Sequence, residues 1–195
     1  MKVIGLTGGS GAGKSTVLRV FEGLGAYAID ADALYNSMLR EHWPLMDRLR
    51  TLFPRAFLGG QLDKRALGTI VFGDREELAR LNAATHPLVL AEADKLIAFA
   101  GERGHLAAVV DAIALFESGF GARCDATVGV LAPTADRVAR VMARDNITRE
   151  QAEARIGAQP GEGYYRERCG YIIENTGDFT TLERAAAVIY NAILL

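Results

Sequence analysis

The run Gly5-Leu-Thr-Gly-Gly-Ser-Gly-Ala-Gly-Lys-Ser-Thr16 constrains this chain more than any other stretch. Before it, Lys2-Val3-Ile4 is a short β-branched segment suited to a buried strand. After it, Val17, Leu18, Phe21 and Leu24 recur at helical spacing until Gly25 stops them. Inside this strand–loop–helix lies Gly8-x4-Gly13-Lys14-Ser15, a phosphate-binding loop in the context that such a loop requires. Glycines let the loop turn tightly, so that the backbone of Gly9, Ser10, Gly11, Ala12 and Gly13 can aim N–H groups at one anion. The helix adds its positive end. Lys14 reaches the β- and γ-phosphates, the Ser15 hydroxyl suits Mg²⁺, and Thr16 is placed to donate to the α-phosphate. The chain is expected to bind a nucleoside triphosphate.

Its 195 residues allow one main α/β domain with a modest insertion, and half of them are hydrophobic, enough for a substantial core. No apolar stretch approaches the ~20 residues of a membrane span. The N-terminal residues pass directly into the first strand, so no leader peptide and a cytoplasmic location are expected. A net charge of −2 gives no footprint for nucleic acid. Cys124 and Cys169 match no metal or redox spacing and read as free thiols.

Along the chain, Tyr27-Ala28-Ile29 is a second strand that runs into Asp30-Ala31-Asp32. Carboxylates just past a strand in an α/β chain fall at the edge where ligands bind, where they can hold Mg²⁺ or take a proton; either could instead cap the next helix. Residues 34 to about 100 read as helical without a strand. Pro44 starts one helix, Gly59-Gly60 turns the chain, Asp63 caps another, and a long pattern from Asp74 breaks near Thr85-His86-Pro87. Leu106 to Asp111 is an apolar strand ending in an acid, in the manner of a magnesium-holding strand end. Asp125 to Leu131 supplies a fourth strand and Tyr171-Ile172-Ile173 a fifth, with Gly161 to Tyr165 as a loop between them. Thr180 or Thr181 starts the last helix.

Arg137, Arg140 and Arg144 follow one another at spacings of three and four and so share a helix face. Like charges so placed repel unless an anion or acidic partners meet them. Thr148-x-x-Gln151 forms a capping box that opens a second helix carrying Arg155. The pair reads as an arginine-bearing lid.

Beyond the loop, a set of short runs recurs: Leu24-Gly25, Ile29-Asp-Ala-Asp32, Leu62-Asp63, Val71-Phe72, His86-Pro87, Leu115-Phe116-Glu117, Arg140-x3-Arg144-Asp145, Ala154-Arg155-Ile156-x2-Gln159 and Ile173-x-Asn175-x-Gly177. On these runs the chain resembles the dephospho-coenzyme A kinases over nearly its whole length. The resemblance implies a five-stranded parallel sheet with a phosphate-loop core (1–33, 102–139 and 166–195), a helical acceptor-binding insertion (34–101) and a helical lid (140–165). It implies ATP- and Mg²⁺-dependent transfer to the ribose 3′-hydroxyl of dephospho-coenzyme A. Asp32 would be the base, Lys14, Arg140 and Arg144 the catalytic cations, and Ser15 would hold the metal, with the strand-end Asp111 read above as its partner there. A monomer acting on a small molecule is expected, without nucleic acid or membrane. The run Asp111-Ala-Ile-Ala-Leu-Phe116 departs from the family by lacking a proline before Phe-Glu, and Cys169-Gly170 stands where the family favours Ala-Asp. The alternatives are a phosphate-loop kinase for another hydroxyl acceptor, and a GTP switch. The switch lacks its guanine motif, since Asn175-Thr-Gly-Asp178 has Thr in place of Lys.

Overall fold

The computed structural model describes residues 1–41 and 43–195, with all of their side chains except those of Glu41, Trp43 and Phe72. Two compact units emerge, Met1–Asp30 with Leu96–Leu195, and Ala31–Lys95.

The first unit is built on β1 (Lys2–Thr7), β2 (Tyr27–Asp30), β5 (Ala107–Asp111), β6 (Ala126–Leu131) and β7 (Tyr171–Glu174), in the order β2-β5-β1-β6-β7. Every pairing is parallel, so the expected five-stranded parallel sheet is present. Central strands of such sheets are buried on both faces and read as unbroken apolar runs. Accordingly Ile4, Leu6, Val109, Val128 and Val130 are fully buried. One face packs on Val17 and Phe21 of α1 (Lys14–Gly23) and on Leu182, Ala186 and Tyr190 of α9 (Phe179–Leu194). The Phe21 and Tyr190 rings meet at 5.1 Å. Asp178, rather than either threonine, caps α9, accepting from the amides of Thr180 and Thr181. Its carboxylate has two oxygens to offer two orphan amides.

Between β6 and β7 lie α6 (Thr134–Asp145), α7 (Arg149–Gly157) and α8 (Glu162–Arg168). Val138, Val141, Ala152 and Ile156 bury the seam between α6 and α7. Both halves of the Thr148–Gln151 capping box are present. The expected loop at 161–165 is instead the start of α8, where Glu162 in the first turn and Arg166 and Arg168 in the last complement the helix dipole. Tyr165 anchors it at 2% exposure.

The second unit holds α2 (Ala31–Glu41), α3 (Trp43–Leu52), a hairpin of β3 (Phe57–Leu58) and β4 (Gln61–Leu62), α4 (Lys64–Phe72), and most of α5 (Arg75–Glu102). Asp63 caps α4 as expected, through the amides of Arg65 and Ala66. The hairpin was not expected; its strands are two residues each, too short to carry a period. Helix α5 does not break at Pro87, which lies inside it. Leu78 and Leu81 before the proline, and Leu88 and Val89 after it, pack on one core with Leu45, Leu49 and Val71. Full burial of an apolar side chain contributes about 1.5–3 kcal/mol; these four are partly buried, and even about half of that from each offsets the ~3 kcal/mol of an interior proline.

Candidate active site

Strand β1 delivers the chain to the loop and α1 leaves it. The cap residue Gly13 is left-handed and offers no side chain, so the first amides of α1 open onto the loop. Lys14 Nζ donates to the Gly8 carbonyl at 3.1 Å, which folds the ammonium back over the loop. Ser15 is exposed. Arg19 Nη2 donates to Thr16 Oγ1 at 3.4 Å, leaving the hydroxyl proton to be given elsewhere.

Three successive loop carbonyls are held from outside. Ser10 O accepts from Arg137 Nε at 3.0 Å, Gly11 O from Arg140 Nη1 at 3.1 Å, and Ala12 O from Asn175 Nδ2 at 2.8 Å. A trans peptide sets each C=O against the following N–H, so the amides of Gly11 and Gly13 point away from these holders. The amide of Ala12 closes a turn onto Gly9 O at 3.1 Å. Gln159, just past α7, grips Ser10 twice: Oε1 accepts from the Ser10 amide and Nε2 donates to Ser10 Oγ, both at 2.8 Å. A Cβ on Gly9 would overlap Arg137 Nη2, so a side chain there would push the guanidinium off the loop.

The three arginines of α6 thus separate by depth. Arg137 is buried and Arg140 half-buried, both on the loop. Arg144 is exposed and makes a two-pronged pair with Asp145, from Nε at 2.7 Å and Nη2 at 2.9 Å. Arg155 bonds the same carboxylate. The hydrogen bond from Arg144, more than any other influence, draws the Asp145 carboxyl down to about 2.

Strands β2 and β5 end side by side, with Asp30 in register with Asp111. Asp111 also lies opposite Leu6 of β1. Two carboxylates at adjacent strand ends and a serine hydroxyl are hard oxygen donors. Such a set fits Mg²⁺, which takes one or two carboxylates and keeps phosphate and water as its other ligands. Among the described residues no group of three or more His, Cys, Asp or Glu could hold a metal by itself. Asp32 belongs to the second unit, in the first turn of α2 and exposed. Its carbonyl accepts from Asn36 Nδ2 at 2.9 Å, and Asn36 Oδ1 accepts from Lys64 Nζ at 2.8 Å. Glu117 accepts from the Tyr164 hydroxyl at 2.7 Å. Burial first, and then this carboxylate, push the Tyr164 phenol up to about 12. Cys124 and Cys169 are free, and burial raises their thiols to about 12 and about 11, far from the range of reactive thiolates.

A family model described as dephospho-CoA kinase matches residues 2–181. The chain belongs to the dephospho-CoA kinase family. The dephospho-CoA kinase of Thermus thermophilus is 39% identical over 191 residues, covering 96% of this chain and 89% of that protein. That of Deinococcus radiodurans is 39% identical over 180 residues, covering 92% and 86%. A Thermus thermophilus protein of known crystal structure superposes with a TM-score of 0.82 at 38% identity, over 98% of this chain and 97% of that one. A shikimate kinase from Acinetobacter baumannii shares the fold, with a TM-score of 0.57 at 18% identity over 100% of this chain and 93% of that one. As a member of the dephospho-CoA kinase family, the chain is a phosphotransferase that uses a nucleotide. Among the described residues no helix is long and apolar enough to cross a membrane.

For this dephospho-CoA kinase family member, sequence reasoning gave no separate role to Arg137, Gln159 or Asn175. The only available signals were the arginine spacing and the runs that end in Gln159 and Asn175, because their partners in the loop are distant in the chain.

Proposed function

We propose that the chain transfers the γ-phosphoryl group of ATP to the ribose 3′-hydroxyl of dephospho-coenzyme A, giving coenzyme A and ADP. One observation carries this reading. The family match runs on from the phosphate loop, which many kinases share, through the helical unit and α6–α8 to residue 181 at the start of α9. The acceptor is therefore supported by most of the chain and not by the loop alone.

In this reading the loop from Gly9 through Gly13 wraps the phosphates and binds them through the amides of Gly11 and Gly13 and the N-terminus of α1, since the amides of Ser10 and Ala12 are taken by Gln159 Oε1 and Gly9 O. Lys14 neutralises charge on the β- and γ-groups, Arg140 joins it by turning from the Gly11 carbonyl to them, and Thr16 donates to the α-phosphate. Arg144 joins them by exchanging Asp145 for phosphate. Asp32 takes the proton of the 3′-hydroxyl as its oxygen bonds to the γ-phosphorus, and the bond from that phosphorus to the ADP oxygen breaks. Ser15 and Asp111 would hold Mg²⁺, which when bound supplies charge neutralisation and orients the phosphates. Residues 34–101 serve as the acceptor domain and 140–165 as the lid, which excludes water as a competing acceptor. A monomer and a cytoplasmic location belong to the same reading.

Coupled ADP release, with and without dephospho-coenzyme A, tests the proposal. Acceptor-dependent release, with a product heavier by one phosphoryl group, is expected. Release that requires a different hydroxyl acceptor would refute the substrate.

A further inference from the structure

Arg137 differs from its two neighbours on α6. It is 8% exposed, and the acceptors it bonds are both neutral: the Ser10 carbonyl and Gln159 Oε1, each at 3.0 Å. Gln159 Oε1 faces two donors, the Ser10 amide and Arg137 Nη2, so its amide can be oriented in only one way. Burial lowers the pKa of Arg137, opposed by Tyr165 and Glu162. A guanidinium nevertheless stays charged in proteins. The arrangement is thus a buried cation, against Gly9 and Ser10, whose bonded partners do not cancel its charge. Glu162, an exposed carboxylate on α8 that lines the same small cavity and is bonded by Arg166, compensates that charge only in part, and burying an incompletely compensated charge costs stability. A purely structural strut would be served as well by an apolar pair, or by a glutamate at 159.

We propose that Arg137 is a positioning residue for the nucleotide: a fixed positive charge behind the phosphate loop, with Gln159 kept neutral so that the charge acts on the phosphates. It works in two ways. Its fork holds the Ser10 carbonyl outward, and its charge acts across the thin glycine backbone, where low dielectric strengthens it. The inference rests on the nucleotide half of the proposed function and is independent of the acceptor.

Gln159→Glu separates the two effects. A carboxylate can still accept from the Ser10 amide, from Arg137 and from the Ser10 hydroxyl, but it cancels the charge. On the full chain, calorimetric titration with ADP is expected to show affinity falling roughly tenfold, the equivalent of about 1.4 kcal/mol. The melting temperature without nucleotide should be kept or raised. In steady state the KM for ATP should rise, while that for dephospho-coenzyme A stays unchanged. Unchanged ADP affinity, or both KM values rising together, would overturn the inference. Arg137→Lys and Arg137→Met form a second test that does not depend on residue 159. The lysine variant keeps the charge and should bind ADP distinctly more tightly than the methionine variant; equal losses would overturn the charge role. A chain that shows this charge dependence on ADP but does not phosphorylate dephospho-coenzyme A would sustain the inference and refute the acceptor. Normal turnover, with ADP affinity indifferent to Gln159→Glu, would do the reverse.

Discussion

Replacing Gly11 by alanine tests whether the loop is held as tightly as its contacts imply. Gly11 has a φ of +76°, and a Cβ there would lie 2.7 Å from the Arg137 carbonyl oxygen and 3.0 Å from Arg137 Cα. Left-handed backbone costs an L residue about 1–2 kcal/mol. The overlap leaves the Cβ about 0.7 Å short of ordinary contact at 3.4 Å, and the obstacle is helix backbone rather than a movable side-chain tip. Overpacking of that kind costs about 1–3 kcal/mol. Moving the loop away would also stretch the 3.1 Å bond from Arg140 to Gly11 O, at about 1 kcal/mol more. The expected loss is therefore roughly 3–6 kcal/mol, a large part of the ~5–15 kcal/mol available to a domain. Gly25 supplies the control. Its φ is +96° with nothing within 4 Å of a Cβ, so Gly25→Ala carries the backbone strain alone, about 1–2 kcal/mol. Urea unfolding followed by far-ultraviolet circular dichroism measures both. If Gly11→Ala destabilises no more than Gly25→Ala, the close approach of α6 to the loop is not a constraint and the reasoning fails.

Three further outcomes are expected. Asn175→Ala leaves the Ala12 carbonyl without its 2.8 Å donor and should lose about 1–3 kcal/mol in urea unfolding, with weaker ADP binding. Asp32→Asn should retain ADP affinity in calorimetry while turnover drops by about 10²–10⁴, the range of a lost general base; unchanged turnover would remove Asp32 from that role. Asp145 has its carboxyl drawn down to about 2 from an ordinary 3.8, so the stability it contributes is present above about pH 4 and is lost as pH falls from there toward 2. Melting temperatures followed across that window should fall less steeply for Asp145→Asn than for the parent chain.

What could be read in advance follows from how locally each feature is encoded. The strand, glycine loop and first helix lie in consecutive residues and were legible, as were the Asp63 cap and the Thr148–Gln151 box, whose partners are at most three residues away. Pro87 misled because a local penalty was outweighed by packing on both sides of it. Helix α8 was missed because two glycines near its start hide a turn that Tyr165 anchors through burial. The arginine stripe was visible, but its division into a buried, a half-buried and an exposed member was not. That division depends on the loop beneath Arg137 and Arg140, more than a hundred residues earlier in the chain, and on the pairing of Arg144 with Asp145.

The same distances say how the site is assembled. The loop residues Ser10, Gly11 and Ala12 are each held by a side chain 127 to 163 positions away, on α6 or just beyond β7. The glycine-rich sequence permits the phosphate-facing turn but does not by itself hold it. Its holders reach it once β6 is paired with β1 and β7 with β6, with α6 between them in the chain. Nucleotide that binds the held loop therefore stabilises the whole sheet and not only its first strand, by RT ln(1 + [L]/Kd), about 2.7 kcal/mol at a hundredfold excess over Kd. Variants at Asn175 or Arg137, which loosen the loop without touching its sequence, should lose part of this gain as well as intrinsic stability. The rise in melting temperature with added ADP is then the measurement that distinguishes a loop held from outside from one that holds itself. An equal rise in the parent and in Asn175→Ala, at matched ADP, would mean that the loop needs no holder.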